Sequence, residues 1–514
     1  MANERPTESY RLLKPLLLLL LVAGWGLWMF LQIDHFNLPS LDSLFYFAPA
    51  AFATTPFHLS TPLLAGFEGA DTSWGANWPG GLLLISCFTA FLPKCPALYV
   101  VLFLTLWLLI SALTGLWVRA ATGKSHWGLI AFLLCLFNRD LYEMASLERH
   151  ELLACLALMG AAYGVFTLSQ KPFSRSGLAI LLISFFLLPL VQPVTSLVGG
   201  FFLAALACFA WWRKERPGYL LPAGGAYAAG LAGLALYFYR DPNAWLLFLD
   251  NARENAQQVY DPARSGGHFF FGKAFLKRLF RVRFIPTNLI YVGALIPACL
   301  ILREAAGSIL RRETRPLFQF DKSRPALAAF LFVATLSATQ FFSNIIYPVL
   351  AVPFAVALIC SALEEAKGAK NHLRAGLVSA LLLAISIAYF AGKTWVMARQ
   401  GWPNYRRELA ALKAGLPPAH LVLIPYVMWE TVLGDSQGYA MNTTPNFNAR
   451  KLRYESMIYG EIKPGDLVLL DSFGGGQPAQ SIGEPQWEKI GEKQCLWHAS
   501  ESVMGFDITI WRKR

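Results

Sequence analysis

The stretch YVVLFLTLWLLISALTGLWV, Tyr99 to Val118, holds twenty residues without a charge. A bilayer core about 30 Å thick is crossed by roughly 20 residues of helix, so this segment reads as one complete crossing. Working outward, Leu16 to Ile33 and Tyr219 to Tyr239 repeat the pattern, and Leu377 to Val396 is nearly uncharged. Further apolar runs fill the chain as far as Met397. The candidate spans are 13–33, 79–92, 97–118, 126–138, 151–168, 177–191, 194–212, 219–239, 285–302, 325–342, 346–362 and 375–397. Hydrophobic residues make up 55% of the chain and charged residues 15%, which excludes an ordinary soluble enzyme and a disordered chain.

The formal charge of +12 is concentrated in short loops: 119–125, 169–176, 213–217, 303–324 and 363–374. Basic loops between apolar runs set orientation and meet anionic headgroups, which accounts for the charge without nucleic acid. These loops are therefore read as cytoplasmic. The N-terminus is then inside, and the polar stretches 34–78, 139–150 and 240–284 lie outside with everything after Met397. That arrangement needs an odd number of crossings, whereas the spans above are even in number. The run at 79–92, too short to cross comfortably, is the one to doubt.

Residues 1–397 are read as the membrane domain and 398–514 as a small extracytoplasmic α/β domain. Within the latter a helix is expected at Asn404 to Lys413. Strands are expected at His420 to Tyr426, Asp466 to Leu470 and Asp507 to Trp511, with a turn at KPGD. The first apolar run resembles a signal peptide, but the following QIDHFNLPS lacks small residues spaced for cleavage, so a retained helix is expected. Cysteine spacing implies neither a disulfide framework nor a zinc site.

Three constellations could carry chemistry. In the first outer segment, IDHFNLPSLDSLFYFAPA, Asp34 and Asp42 stand near the membrane surface, where a screened carboxylate could act as a base. Against this, Asp34 could simply mark a helix end and Asp42 cap a short helix. In the second, FNRDLYEMASLERHELL, Arg139, Asp140, Glu143, Glu148, Arg149, His150 and Glu151 crowd between two apolar runs. They could face an interior cavity and grip a phosphate, or form an ion-pair cluster that solubilises the turn. A metal site from His150 and Glu151 is weak, since adjacent helical residues face different ways. In the third, GKAFLKRLFRVRF at 272–284, helical spacing gathers Lys273, Lys277, Arg278 and Arg281 on one arc and apolar residues on the other, Arg283 excepted. Such a helix could hold the phosphate of a lipid carrier or attract headgroups in general. Asn442 to Thr444 is a glycosylation sequon by pattern alone. No nucleotide-binding loop or HExxH is present.

The layout resembles the GT-C membrane glycosyltransferases, among them the protein O-mannosyltransferases and the bacterial lipid A aminoarabinose transferases. LDSLFYFAPA matches the acidic start of their first outer loop through Asp42, with Ser43 where a Glu is frequent. NWPGGLLL at Asn77 to Leu84 is similar to the entry of their next helix, and Arg149 with Glu151 to an Arg and acidic pair at a later helix start. IIYPVLAVPFAVAL at 345–358 resembles their Tyr and Pro helix through Tyr347 and Pro353, with Ile346 where a basic residue is frequent. The resemblance implies a polytopic helical fold of about 11–13 membrane helices, located in a bacterial inner membrane. It also implies a polyprenyl-phosphate-linked sugar donor, a glycan, lipid or protein acceptor, chemistry on the outer face and inversion at the anomeric carbon. Asp42 would be the base. Asp34, Arg149, Glu151, Lys273, Lys277, Arg278 and Arg281 would line the substrate site. No cofactor is assigned, and there is room for a divalent metal ion. The rival readings are a transporter or flippase of a lipid-linked glycan, which would need charge at mid-helix, and a surface protein merely anchored by its helices.

Overall fold

The computed structural model describes residues 8–36, 47–64, 78–212, 217–249, 285–310, 324–341, 347–365, 369–399, 404–442, 457–471, 486–499 and 502–514, with a few isolated positions between. The chain is an antiparallel helical bundle that ends in a small sheet. Its helices are α1 (Glu8–Phe36), a short α2 (Ala48–Ala51), α3 (Pro79–Thr89), α4 (Pro96–Thr122), α5 (Ser125–Leu136), α6 (Arg139–Ser146), α7 (Glu151–Gln170), α8 (Arg175–Val191), α9 (Pro193–Trp212) and α10 (Leu220–Arg240). Then follow α11 (Ile285–Leu310), α12 (Arg324–Phe341), α13 (Val352–Glu365, entered through a 3-10 turn Tyr347–Ala351), α14 (Ala369–Arg399) and α15 (Tyr405–Ala414). Among the described residues, Pro96–Thr122, Glu151–Gln170, Leu220–Arg240 and Gly376–Arg399 are each long and apolar enough to cross a membrane unaided. Between helices the bundle relies on small residues, as expected where lipid offers no hydrophobic drive for association. A Cβ on Gly164 would stand 2.9 Å from the Leu181 Cα, and one on Gly230 would stand 2.3 Å from the Phe186 carbonyl oxygen.

The doubtful run at 79–92 is α3, and its eleven residues span about 16 Å, half of a bilayer core. Its first turn rests on the end of α8, with Gly80 against the Leu190 backbone. The Trp78 Nε1 donates to the Pro189 carbonyl (2.9 Å). Its other end stays near α2, where the Thr89 hydroxyl donates to the Ala50 carbonyl and Lys94 Nζ donates to those of Ala51 and Ala53. Phe47, at the head of α2, packs on Tyr99 in the first turn of α4 and on Trp429 of the tail. Both ends of α3 therefore lie at the end of the bundle that carries the tail. With that helix set aside the expected spans number eleven, which is odd.

α5 also stops short. Its last carbonyls, Cys135 and Leu136, have no partner within the helix and accept from the indoles of Trp107 and Trp25, each at 2.9 Å, with Cys135 also accepting from the Asn138 N–H (3.1 Å). Trp107 lies eleven residues into α4 and Trp25 eleven residues before the end of α1, so α5 halts roughly 16 Å below those helix ends. The recess is filled by α6 and the turn that follows it.

The tail sheet has strands β1 (Val422–Ile424), β2 (Tyr439–Met441), β3 (Leu467–Asp471), β4 (Trp487–Ala499) and β5 (Ser502–Lys513), in the order β2-β1-β3-β5-β4. β1 is parallel to both neighbours, pairing Leu423 with Ala440 and Val468, whereas β5 runs antiparallel to β3 and β4. The KPGD turn forms as expected: Gly465 takes φ +94°, open to glycine, and Asp466 accepts from the backbone N–H of Lys463 and Leu421. Asn442 of the sequon is buried, and its Nδ2 donates to the Leu469 carbonyl across the sheet. That burial leaves no room for a glycan.

Candidate active site at the junction of bundle and tail

The charged turn is positioned by its own sequence. Asn138 caps α6 by accepting from the N–H groups of Asp140 (2.9 Å) and Leu141 (3.2 Å). The helix then closes in a Schellman turn: the Arg149 N–H reaches the Met144 carbonyl (3.0 Å) and the Glu148 N–H that of Ala145 (3.3 Å). The residue at the left-handed position of this turn is Glu148, with φ +53°, where glycine is the usual choice. A non-glycine residue there costs on the order of 1–3 kcal/mol.

The seven charged or titratable residues of this turn separate into three groups. On α6, Arg139 pairs with Glu143 (3.2 Å) and donates from Nε to the Tyr389 hydroxyl (3.1 Å), while Tyr291 donates to Asp140 (3.0 Å). At the head of α7, Arg149 grips Glu151 with Nε and Nη2 (3.0 and 2.5 Å), and the Gln192 Nε2 approaches the same carboxylate (3.4 Å). Arg149 and Glu151 are both fully buried, and the His150 Nδ1 lies 3.9 Å from Glu151. An ion pair is present, but it lies inside the protein, whereas the plainer alternative is an ion-pair cluster that solubilises the turn. Among the described residues no three His, Cys, Asp or Glu side chains converge as metal ligands.

The third group joins bundle to tail and centres on Arg406 of α15, which sequence reasoning missed. Its guanidinium lies 3.1 Å from Asp34 at the end of α1, 2.7 Å from Glu430 in the tail and 3.8 Å from Glu148. Asn404 caps α15 through Oδ1 and donates from Nδ2 to Asp34 (3.2 Å). Asp34 therefore ends a helix and anchors the tail. Burial, with Glu430 beside it, pushes the Glu148 carboxyl well above the usual carboxylate range, against the pull of Arg406.

A second residue missed in the sequence is Lys393, on the tail-side half of α14. Its Nζ donates to the Tyr142 hydroxyl (2.6 Å) and lies 4.2 Å from that ring's centroid. Among the described residues it has no carboxylate within salt-bridge distance, unlike Arg139, Arg149 and Arg406. A lysine buried in an apolar run is a recognisable sequence signal, and AGKTW supplied it. Asp42 and the basic stretch holding Lys273, Lys277, Arg278 and Arg281 lie outside the described residues.

The helical bundle, its recessed polar turn and the sheet-bearing tail together make a fold found among solved structures. Among solved structures the chain is similar to the crystal structure of ArnT from Cupriavidus metallidurans bound to undecaprenyl phosphate. The TM-score is 0.54 at 10% sequence identity, covering 96% of this chain and 97% of that one. No family model matches the chain, and no curated protein matches it.

Proposed function

We propose that this chain is an integral membrane glycosyltransferase that moves a sugar from a polyprenyl-phosphate donor to an acceptor on the outer face of a bacterial cytoplasmic membrane. The observation that carries the reading is the likeness of fold over nearly the whole of both chains, tail included, to a protein crystallised with undecaprenyl phosphate. The recess above α5 supports it, since it gathers ionisable groups at one end of an otherwise apolar bundle. In this reading Asp42 is the base that deprotonates the acceptor hydroxyl as it attacks the anomeric carbon with inversion. The leaving polyprenyl phosphate gains negative charge, and cations fixed beside it stabilise that charge. Lys393 and the stretch from Lys273 to Arg281 fill this role better than Arg149, whose donors are held by Glu151.

The test is sugar transfer from undecaprenyl-phosphate-linked sugars by the purified chain in nanodiscs, read by mass analysis of glycolipid products. Asp42→Asn is expected to lower turnover by at least a hundredfold while membrane insertion and unfolding temperature stay unchanged. Full turnover in that variant removes the proposed base.

A further inference from the structure

Buried polar atoms are almost always hydrogen-bonded, so a group of exceptions in one place calls for an explanation. At the junction the Tyr99 hydroxyl, the Tyr405 hydroxyl and both oxygens of Glu148 are buried without a hydrogen-bond partner among the described residues. Their residues are 0%, 1% and 3% exposed. All three border the same joint. Arg406 lies over the Tyr405 ring (5.7 Å) and 3.8 Å from Glu148, while Tyr99 packs through Phe47 toward Trp429, the neighbour of Glu430. Tyr99 and Tyr405 both lie within electrostatic reach of Glu148 and Glu430.

The chemistry of these atoms narrows what could meet them. A phosphate or other anion would face Asp34, Glu148 and Glu430 with, among the described residues of this group, only Arg406 to answer it. An ammonium group could satisfy Glu148 but would give the phenol protons nothing to bind. A hydroxyl both donates and accepts, so two or three hydroxyls on one rigid ring could answer two phenols and a carboxyl together. The backbone favours a role for the carboxyl too, because Glu148 stands where glycine would fit without strain.

We infer that Tyr99, Tyr405 and Glu148 form a buried subsite for the ring hydroxyls of a saccharide, placed between α4, the turn after α6 and the tail. The inference rests on the glycosyltransferase reading and adds to it the residues that recognise the sugar. The saccharide belongs either to the donor or to a glycolipid acceptor.

The experiment uses the full chain in nanodiscs and two readouts, unfolding temperature and native mass spectrometry. The probes are bare undecaprenyl phosphate, undecaprenyl phosphate carrying glucose or arabinose, and lipid A. Removing an unsatisfied buried hydroxyl does not weaken the resting protein, so Tyr99→Phe with Tyr405→Phe is expected to keep or raise the ligand-free unfolding temperature. The same variant should bind bare undecaprenyl phosphate as before and lose roughly tenfold in affinity for a sugar-bearing probe for each hydroxyl removed. Loss confined to the sugar-phosphate lipids assigns the donor sugar, and loss confined to lipid A assigns the acceptor. A sugar preference that survives in the double variant, a fall of several degrees in its ligand-free unfolding temperature, or the absence of any sugar preference in the natural chain overturns the subsite. Failure of the natural chain to bind any undecaprenyl phosphate overturns the glycosyltransferase reading instead, and the lipid A arm then decides the subsite alone.

Discussion

At the scale of single residues, Glu148 ties the most consequences together. It closes a helix in a conformation suited to glycine, its carboxyl faces Glu430 and Arg406, and burial favours its protonated form. The native state then holds a proton that the unfolded chain releases at about pH 4.5, so stability falls as pH rises above that value and levels off above the folded-state titration. Glu148→Gln, which cannot ionise, is expected to raise the unfolding temperature at pH 8 and to leave it unchanged near pH 4, as followed by scanning fluorimetry. An equal effect at both pH values would mean that the carboxyl is charged throughout. Arg149 and Glu151 contrast with it. Each is the other's buried counter-charge, so their presence in the sequence marked charge density at a helix start without revealing that they answer one another.

At the scale of elements, close backbone approach is decisive. A methyl group on Gly80 would meet the Leu190 carbonyl oxygen at 2.0 Å, a backbone atom that cannot step aside, whereas one on Gly24 would meet nothing within 4 Å. Gly80→Ala is expected to cost about 1–3 kcal/mol, and Gly24→Ala to be neutral or stabilising by up to about 1 kcal/mol. Unfolding temperatures of the two variants in the same detergent would check the contrast. The crossing helices were legible because an uncharged apolar run of that length has few other uses. The helix at 404–413 and the KPGD turn were legible because cap and turn chemistry is local. β4 was not, since WEKIGEKQCLWHA lies at the sheet edge and alternates too weakly to stand out. The retreat of α5 was hidden as well, because the two indoles that donate to its last carbonyls come from other helices, Trp107 from the preceding α4 and Trp25 from α1, 111 positions away.

At the scale of the whole molecule, the tail is joined to the bundle by both charge and packing. Arg406 holds Asp34, and Trp429 packs on Phe47 and Phe52. Arg406→Gln would leave carboxylates facing one another across the joint, a loss on the order of 3 kcal/mol. Limited proteolysis between Arg399 and Tyr405 is expected to speed up at least tenfold in that variant, while the helical bundle stays protected. An unchanged cleavage rate would place the hold in the aromatic contacts alone. None of this could be read from composition, because a salt bridge between distant segments leaves no periodic trace in either.

Asp34 and Arg406 are separated by 372 positions in the chain. Since synthesis runs from the N-terminus, the first helix is inserted long before the arginine that neutralises its final carboxylate has been translated. The bundle must therefore wait, electrically incomplete, for its last hundred residues. A chain cut short after Arg399 would keep the helices of the bundle and lack the guanidinium that answers Asp34.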